Sequence, residues 1–336
     1  MKATLENPIY TAYLVSGTNK YNLTDVLTGI DLDEQEQQLA QCATVSIINA
    51  KTNGQWLSSI IGVRNRIYIY ANDGEQNREV FRGFVWTKSY KTGLTDREIT
   101  LKCYDNLIYF QESEDAEYFT DGKSSEDIIA TFCDKWGVEL SYSYDSITHS
   151  KLALRGNLAD IITADVLDLV KDRTGNKYII RSDQDIVHVM PTGQNSTVYS
   201  FVGGKNIVTT KSEETMEGMI TRVVILGRDD DKQERLPVEA TLDGDTDGYG
   251  TLQKIISRNE NTELDEAKRE AEGILKESGD PKREYEVTAP DVPWIRKGDR
   301  VFINAGDIIN SYMIVSSISH SINNKSKEMS MTLRKP

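Results

Sequence analysis

The sequence predicts a β-rich α+β protein in which two similar antiparallel β-barrel domains flank an α/β insert. Three observations support this prediction. Segments rich in β-branched and aromatic residues fill the first and last thirds of the 336-residue chain. Amphipathic helical patterns fill the middle third, and the two β-rich thirds weakly repeat each other. The predicted domains are residues 1–111, 112–206 and 207–336.

The first domain consists of strand-like segments that turn residues separate, for example at Asn53-Gly54 and Asp73-Gly74. Only Gly54–Ile61 is apolar enough to predict a short helix in this domain. The predicted strands are Thr11–Val15, Thr44–Ile48, Arg66–Tyr70, Val80–Tyr90 and Glu98–Tyr104.

The insert begins with a predicted helix that Ser124-Ser125-Glu126-Asp127 opens and Gly137 ends. A second predicted helix starts near Ala159 and ends at Gly175. Its apolar face is predicted to contain Ile162, Val166, Leu169 and Val170. A hairpin is then predicted from two segments, Lys177–Ser182 and Asp185–Met190.

The last domain returns to strands, and one strong helix interrupts them. Thr262 and Asp265 resemble a capping box at the start of this helix, and Gly279 ends it. The apolar stripe of the helix is Leu264, Ala267, Ala271, Ile274 and Leu275. The predicted strands are Ile220–Leu226, Gln253–Ser257, Tyr285–Thr288, Arg300–Ile303, Met313–His320 and Glu328–Arg334.

The last domain repeats part of the first in the type and order of its residues. Both repeated parts finish on an alternating strand, which is typical of a half-buried sheet. The aligned segments are Val63–Ile69 with Lys297–Ile303, Val80–Val85 with Ser311–Val315, and Phe84–Ile99 with Ile314–Met329. The repeat predicts one chain with two β modules of the same kind.

The composition excludes several classes of protein. Lys and Arg number 39 against 53 Asp and Glu, so the net charge is −14, and this acidic balance predicts no specific nucleic-acid binding. No secretory signal is expected at the start, and no stretch approaches the roughly 20 apolar residues of a membrane span. Cys42, Cys103 and Cys133 lie too far apart for zinc spacing or a disulfide framework, which predicts three buried thiols in a reducing cytoplasm.

Enzyme signatures are missing from the sequence, so we predict no catalytic, cofactor-binding or metal-binding residues and no enzymatic activity. His149, His188 and His320 stand outside any nucleophile elbow, HExxH helix or Cys/His pairing. Gly203-Gly204-Lys205 is too short to bind phosphate and is interpreted as a turn.

One acidic segment matches the first half of a calcium loop. Asp243–Gly248 alternates carboxylates and ends on glycine, but Lys254 stands where a bidentate Glu belongs. We interpret the segment as a solvated loop and leave calcium binding open. Asp229-Asp230-Asp231, just upstream, is also interpreted as a polar loop.

Arg296-Lys297-Gly298-Asp299-Arg300 permits two interpretations, either an anion site or a tight turn that leads into a strand. Trp294, just before it, is either an interface anchor or a core residue. The sequence alone does not separate these alternatives.

The whole arrangement resembles a known family. A strand-rich start, an α/β insert, a long helix and the run Pro293-Trp294-Ile295-Arg296-Lys297-Gly298-Asp299 before the closing strands are similar to the phage tail baseplate hub proteins of the late-control-D and XkdQ-like family. These proteins belong to contractile tails, prophages and phage-tail-like bacteriocins. The likeness spans nearly the whole chain and includes no catalytic signature.

The resemblance implies two tail-tube-like β-barrel domains in one chain and no catalytic, cofactor or metal residues. It implies a structural homotrimer in the baseplate of a virion or tail-like particle, assembled in the bacterial host cytoplasm. Three chains with two barrels each would form a ring of six similar units, which adapts a sixfold tube to a threefold spike. The implied partners are other copies of the chain, the tail tube protein, the central spike protein, and the tape measure and other baseplate proteins.

Two alternatives remain beside the hub. One is a peptidoglycan hydrolase that acts through carboxylates of the insert. The other is a glycan-binding tail module with four stacking aromatic residues, Tyr118, Trp136, Tyr142 and Tyr144. The sequence leaves open which kind of particle carries the protein, which residues form its interfaces and which partner the insert binds.

Overall fold

The structure, a computed structural model, describes residues 7–93, 97–227, 236–257 and 263–336. The predicted cap at Thr262 and the acidic run Asp229–Asp231 therefore lie outside the described residues. The chain divides into two compact units: Met1–Lys211 with Tyr285–Pro336, and Ser212–Glu284. The three-domain division remains a prediction. No helix in the described ranges has the length and apolar character needed to cross a membrane.

The first third forms strands in which one face is buried and the other is partly exposed, as an alternating apolar pattern requires. A 3₁₀ turn at Thr24–Val26 and a short helix α1 (Leu57–Ile60) interrupt the strands. The strands are β1 (Ile9–Ser16), β2 (Asn19–Asn22), β3 (Leu27–Glu34), β4 (Cys42–Ile48), β5 (Lys51–Thr52), β6 (Gln55–Trp56), β7 (Arg66–Asn72), β8 (Asn77–Thr92) and β9 (Arg97–Tyr104).

The middle third mixes helices with short strands. Its helices are α2 (Ile108–Gln111), α3 (Ser125–Trp136), α4 (Leu158–Asp160), a π-helix (Ile161–Leu167) and α5 (Asp168–Thr174). Its strands are β10 (Glu114–Phe119), β11 (Lys123–Ser124), β12 (Glu139–Tyr142), β13 (Thr148–His149), β14 (Leu152–Asn157), β15 (Tyr178–Asp183), β16 (Ile186–Pro191) and β17 (Ser200–Val202).

The helix starts and stops of the insert are as predicted. Ser124 and Asp127 form a capping box on α3, and Gly137 ends this helix in the left-handed conformation. The predicted apolar face of the second helix is wrong at Leu169, which is 39% exposed. The reason is the π-helix, because its wider turn rotates the residues that follow it away from the face that α-helical spacing predicts.

The last third contains α6 (Thr246–Tyr249) and the predicted long helix α7 (Leu264–Ser278). Val223 and Ile225 pack with Ala267 and Ala271 of α7 in a small core of the second unit. The strands are β18 (Thr209–Thr215), β19 (Arg222–Leu226), β20 (Val238–Asp243), β21 (Gln253–Ser257), β22 (Lys282–Pro290), β23 (Arg300–Asn304), β24 (Asn310–Asn323) and β25 (Lys327–Arg334).

Thirteen of the described strands belong to one large, mainly antiparallel sheet that joins the first and last thirds. Its main order is β18-β22-β25-β24-β3-β4-β9-β8-β7-β1-β2. Outside this order, β23 pairs with β24 on one edge and with β17 on the other. The predicted β-rich fold is therefore confirmed, whereas the described strands do not close into a barrel. The join between the two thirds is the pairing of β24 with β3.

The predicted repeat is confirmed at the level of strand pairing. The first repeat is β3, β4, β7, β8 and β9, and the second repeat is β18, β22, β23, β24 and β25. Arg66 lies opposite Phe84 in the first repeat, and Arg300 lies opposite Ile314 in the second. These are the residues that the sequence alignment matched, so the alignment and the strand register agree.

A bulge at the same place strengthens this correspondence. Trp86 is the unpaired residue where β8 shifts register against β9, and Ser316 is the unpaired residue where β24 shifts register against β25. Each bulge follows the aligned positions Phe84 and Ile314 by two residues. A shared bulge bends both strands alike, so the two repeats have the same local geometry.

Candidate functional site: the Asp291–Asp299 turn

The run that carried the family resemblance connects β22 to β23, and we call Asp291–Asp299 the latch turn. Connecting segments normally lie exposed at the surface. In the latch turn, by contrast, Asp291, Ile295, Lys297 and Asp299 are buried. A loop with this many buried polar groups needs partners for each of them.

The backbone of the latch turn repeats that of a turn in the first repeat. The amide of Arg296 donates to Asp299 Oδ2 at 3.0 Å, as the amide of Gly62 donates to Asn65 Oδ1 at 2.8 Å. Gly298 and Arg64 hold the same left-handed position, with φ of 88° and 64°. Position 64 is exposed and tolerates a side chain, whereas a Cβ at Gly298 would lie 2.8 Å from Ile179 Cγ1.

Arg296 joins the latch turn to the end of β3. Its Nε donates to Glu34 Oε1 at 2.9 Å, and its Nη1 donates to the carbonyl oxygen of Ser182 at 2.8 Å. Burial alone would raise the pKa of Glu34, but Arg296 and then Lys297 outweigh burial and lower it to about 2. Glu34 is therefore a buried carboxylate whose charge Arg296 neutralises.

Lys297 binds the chain that follows β3. Its amide donates to Glu34 Oε2 at 2.9 Å. Its Nζ donates to the carbonyl oxygens of Gln35 and Gln38, at 3.1 and 2.5 Å. Burial lowers the pKa of Lys297 in spite of Glu34. All of these partners lie on or beside β3, so the turn is fastened to the first repeat.

Asp299 fastens the same turn to the insert. Arg181 of β15 donates from Nη1 to Asp299 Oδ1 at 2.9 Å. Gly193, just after β16, donates its amide to the carbonyl oxygen of Gly298 at 2.8 Å. With Arg296 bound to Ser182, three consecutive parts of the chain meet at one buried ionic junction.

A second buried cluster lies at the start of the latch turn. Tyr10 donates to Asp291 Oδ2 at 2.5 Å, and His320 Nδ1 lies 2.6 Å from Asp291 Oδ1. His320 Nε2 donates to the carbonyl oxygen of Ile295 at 3.1 Å. Because a carbonyl only accepts and Asp291 accepts on both oxygens, both ring nitrogens of His320 carry protons.

The surroundings of His320 agree with a charged imidazolium. Burial acts to lower the pKa of His320, but the hydrogen bond and charge of Asp291 outweigh it and raise the pKa above 6.5. Burial and Asp291 also raise the pKa of Tyr10 well above 10, so its hydroxyl remains a donor. The three side chains connect β1, the latch turn and β24.

We expect this cluster to make stability depend on pH. Because the pKa of His320 is higher in the folded chain than in the unfolded chain, its stabilisation is complete below pH 6.5 and is lost as the pH rises through the raised folded pKa. In His320→Gln this loss should be absent. The free energy of unfolding, measured by denaturant titration from pH 6 upward, tests this, and parallel curves for both proteins would contradict it.

Trp294 packs in the interior and also forms a hydrogen bond to the first repeat. Its ring packs against the cores of both repeats, and its Nε1 donates to Asp73 Oδ2 at 3.0 Å. Core packing is therefore the interpretation that the structure supports. The anion-site interpretation of Arg296 and Lys297 is wrong, because Glu34 and backbone carbonyls already satisfy both buried cations.

The other residues considered in the sequence do not converge on a site. Of the four aromatic residues of the glycan hypothesis, Tyr144 is buried and Tyr118 is 58% exposed. In the Asp243–Gly248 segment, Asp243 accepts from Arg222 at 2.5 Å and Asp245 caps the amide of Gly248 at 2.8 Å. Within the described ranges no group of three or more acidic, His or Cys side chains is placed to hold a metal ion.

Sequence reasoning missed Glu34, Tyr10 and Asp73 as partners of the latch turn. A signal for Glu34 exists, because Ile30, Leu32 and Glu34 alternate and the first two are fully buried. A carboxylate on a buried face needs a cation. The sequence does not say which cation, since Glu34 and Arg296 are 262 residues apart.

The junction connects three parts of the chain. Its charged groups are buried and paired with one another or with backbone carbonyl oxygens, so they hold these parts in one geometry.

Comparison with known proteins gives a family and a fold. The sequence model of the YQBQ-like family matches residues 30–334. A search of curated proteins found no match.

Three solved structures have a similar fold. The 43 kDa tail protein of prophage MuSo2 from Shewanella oneidensis has a TM-score of 0.73 at 13% identity, covering 97% of this chain and 98% of its own. A tail protein from Neisseria meningitidis MC58 has a TM-score of 0.71 at 12% identity, and the match covers 97% of this chain and 96% of that protein. The E. coli c3393 protein has a TM-score of 0.57 at 7% identity, and the match covers 93% of this chain and 74% of that protein. It is described as a component of the type VI secretion system with structural similarity to the T4 bacteriophage tail proteins gp27 and gp5.

Proposed function

This chain belongs to the YQBQ-like family, and from this membership and the shared fold we propose that it is a structural baseplate hub of a phage tail or phage-tail-like particle. In this proposal three copies form a ring, and the late-control-D and XkdQ-like hubs are its functional relatives. The hub has no enzymatic activity. It adapts a sixfold tail tube to a threefold central spike.

The observation that carries the proposal is the structural repeat. Two β modules with the same register and the same bulge position lie side by side in one chain. Three such chains present six similar modules, so a threefold ring offers a nearly sixfold surface. In the ring, the open sheet of each chain is completed by its neighbours, which gives the tube-like form that the separate chain lacks.

The proposed partners follow from this geometry. The ring binds other copies of itself, the tail tube protein on one side and the central spike protein on the other, together with the tape measure and other baseplate proteins. The proposed location is the baseplate of a virion or tail-like particle, reached after assembly in the host cytoplasm. The net charge of −14 supports a hub without specific affinity for nucleic acid.

The oligomeric state tests the proposal. We expect the purified chain to form a homotrimer, because the described strands of each copy include exposed edges that neighbouring copies would cover. Light scattering coupled to size exclusion should therefore give three times the mass of one chain, unchanged on moderate dilution.

Two outcomes would contradict the hub. A chain that stays monomeric at all concentrations cannot form the ring. Turnover of purified cell wall by the wild-type chain would instead favour a hydrolase.

A further inference from the structure

The repeat allows each residue of the first repeat to be compared with a counterpart in the second. Tyr90 lies opposite Ile99 on β9, and His320 lies opposite Met329 on β25. Because Phe84 to Ile99 and Ile314 to Met329 are equal spacings, Tyr90 and His320 are counterparts. By the same offset, Lys88–Thr92 of β8 corresponds to Ile318–Ile322 of β24.

Counterparts differ sharply in exposure. Tyr90 is 46% exposed and His320 is 4% exposed. In the turns, Val63 is 65% exposed and its counterpart Lys297 is 2% exposed. Since the backbones agree, the difference arises from what covers each repeat.

In the second repeat, the residues that bury His320 and Lys297 belong to the same chain. β3 pairs with Ile318–Asn323 of β24, on the edge that β23 leaves open, and places Leu32 opposite His320. Lys297 is covered by the residues that follow β3, through the carbonyls of Gln35 and Gln38. The first repeat thus supplies a strand, and the loop behind it, to the second.

In the first repeat the equivalent edge has no such strand among the described residues. β7 pairs with β8 only as far as Phe84, and the far half of β8 pairs with β9 alone. Ser89, Tyr90, Lys91 and Thr92 are exposed along this half. An open edge of this kind is a template for pairing with another strand.

The strand equivalent to β3 also lies at an edge. β18 stands beside β22 as β3 stands beside β4, and β18 is the last strand in the sheet order. Within the part of the chain that the structure describes, the far half of β8 therefore has no β3-like strand beside it, and the β3-like strand β18 has a partner on one edge only. They lie in different repeats, at different places of the same sheet.

The charges of the two elements are complementary. Ser321 donates to Asp31 of β3 at 2.7 Å in the pairing within the chain, and the counterpart of Ser321 is Lys91. The strand β18 carries Glu213 and Glu214 against one lysine, Lys211, so its net charge is negative, and Glu214 also pairs with Arg283. The segment Lys88–Thr92 carries two lysines and no acidic residue, so net attraction favours its pairing with β18.

From these observations we propose that Lys88–Thr92 of one copy pairs in antiparallel fashion with β18, Thr209–Thr215, of a second copy. This contact between two chains has the same form as the β24–β3 contact within each chain. It is heterologous, since it joins different surfaces of the two copies, and such contacts close into a ring when the rotation permits. The inference deepens the proposed hub and rests on it for the number of copies.

Chemical cross-linking tests the contact directly, because Lys91 and Lys211 are both amines. We expect an amine-reactive cross-linker to join Lys91 of one copy to Lys211 of another, so that mass spectrometry finds this link in the covalent dimer and not in the monomer band. Lys91→Arg should remove this link and leave other links unchanged. Its absence from the covalent dimer of the wild type would overturn the inference.

A substitution at the exposed edge gives an independent test. Tyr90→Asp should raise the dissociation constant of the oligomer about tenfold or more, since the proposed pairing covers the Tyr90 side chain and the substitution places a charge there. Tyr118→Asp is the control, because Tyr118 is an exposed tyrosine on β10 of the insert. Thermal melts of both variants at low concentration check that each chain still folds.

The outcomes separate this inference from the hub itself. A trimeric wild type whose Tyr90→Asp variant associates as tightly would overturn the proposed pairing and leave the hub standing. A monomeric wild type would overturn both. Loss of association in Tyr90→Asp alone, together with the Lys91–Lys211 link, would support the pairing.

Discussion

Glu34→Gln is expected to lower the free energy of unfolding of the larger unit by about 3–5 kcal/mol. The substitution keeps the shape of the side chain and removes its charge, which leaves the buried Arg296 without the carboxylate that it hydrogen-bonds. Desolvated cations without partners are among the costliest defects in a protein interior. Chemical denaturation at neutral pH, followed by far-UV circular dichroism, measures the loss.

The same residue predicts a dependence on acid. Because the folded pKa of Glu34 is about 2 and its ordinary value is 4.5, its stabilisation is present above pH 4.5 and is lost as the pH falls towards 2. Glu34→Gln should lack this contribution, so the stability gap between wild type and variant should narrow across that range. A constant gap would show that the charge of Glu34 is not what stabilises the junction.

An exposed ion pair serves as the matched control. Lys135 Nζ and Glu117 Oε1 are 2.8 Å apart in the larger unit, and their side chains are 43% and 32% exposed. Glu117→Gln should therefore change the free energy of unfolding by only about 0–1 kcal/mol. Equal losses for the two Glu→Gln variants would contradict the special role of the buried junction.

Gly298→Ala is the second large effect that we expect, a loss of about 2–5 kcal/mol. The left-handed φ of 88° costs an alanine about 1–2 kcal/mol. The added Cβ would also lie 2.8 Å from Cγ1 and 3.0 Å from Cβ of Ile179, and overpacking of this kind costs about 1–3 kcal/mol more. Denaturant titration of both proteins measures the sum.

Gly204→Ala separates the two contributions. Gly204 has a similar φ of 73° but no atom within 4 Å of an added Cβ, so only the backbone cost of about 1–2 kcal/mol should appear. If Ile179 causes the excess, Ile179→Ala should be less destabilising in the Gly298→Ala background than alone. Equal losses at Gly204 and Gly298 would instead assign the effect to the backbone.

Local features of the fold are predictable from the sequence because their causes are local. The cap at Ser124 and the stop at Gly137 depend on residues within one helical turn. The strand Gln253–Ser257 also has the bounds that its local residue pattern predicts. At Leu169 the α-helical spacing predicts the wrong face, because the preceding π-helix has more residues per turn than an α-helix. No residue pattern in the segment predicts that π-helix.

The junction was not predictable, because its contacts join residues that are far apart in the chain. Arg296 and Asp299 are visible in the sequence as a turn, yet their partners Glu34 and Arg181 lie in other parts of the protein. The repeat, in contrast, was visible because the two strands keep the same spacing. The sequence did not show that β24 and β3 join the two repeats into one sheet.

The central claim is that two like modules per chain build a ring of six. Electron microscopy of the purified chain tests it most directly, because class averages show both the number of copies and the number of similar lobes. We expect a closed annulus with a central hole, three chains and six similar lobes around it. Averages that show single chains, or closed dimers without a hole, would contradict the account.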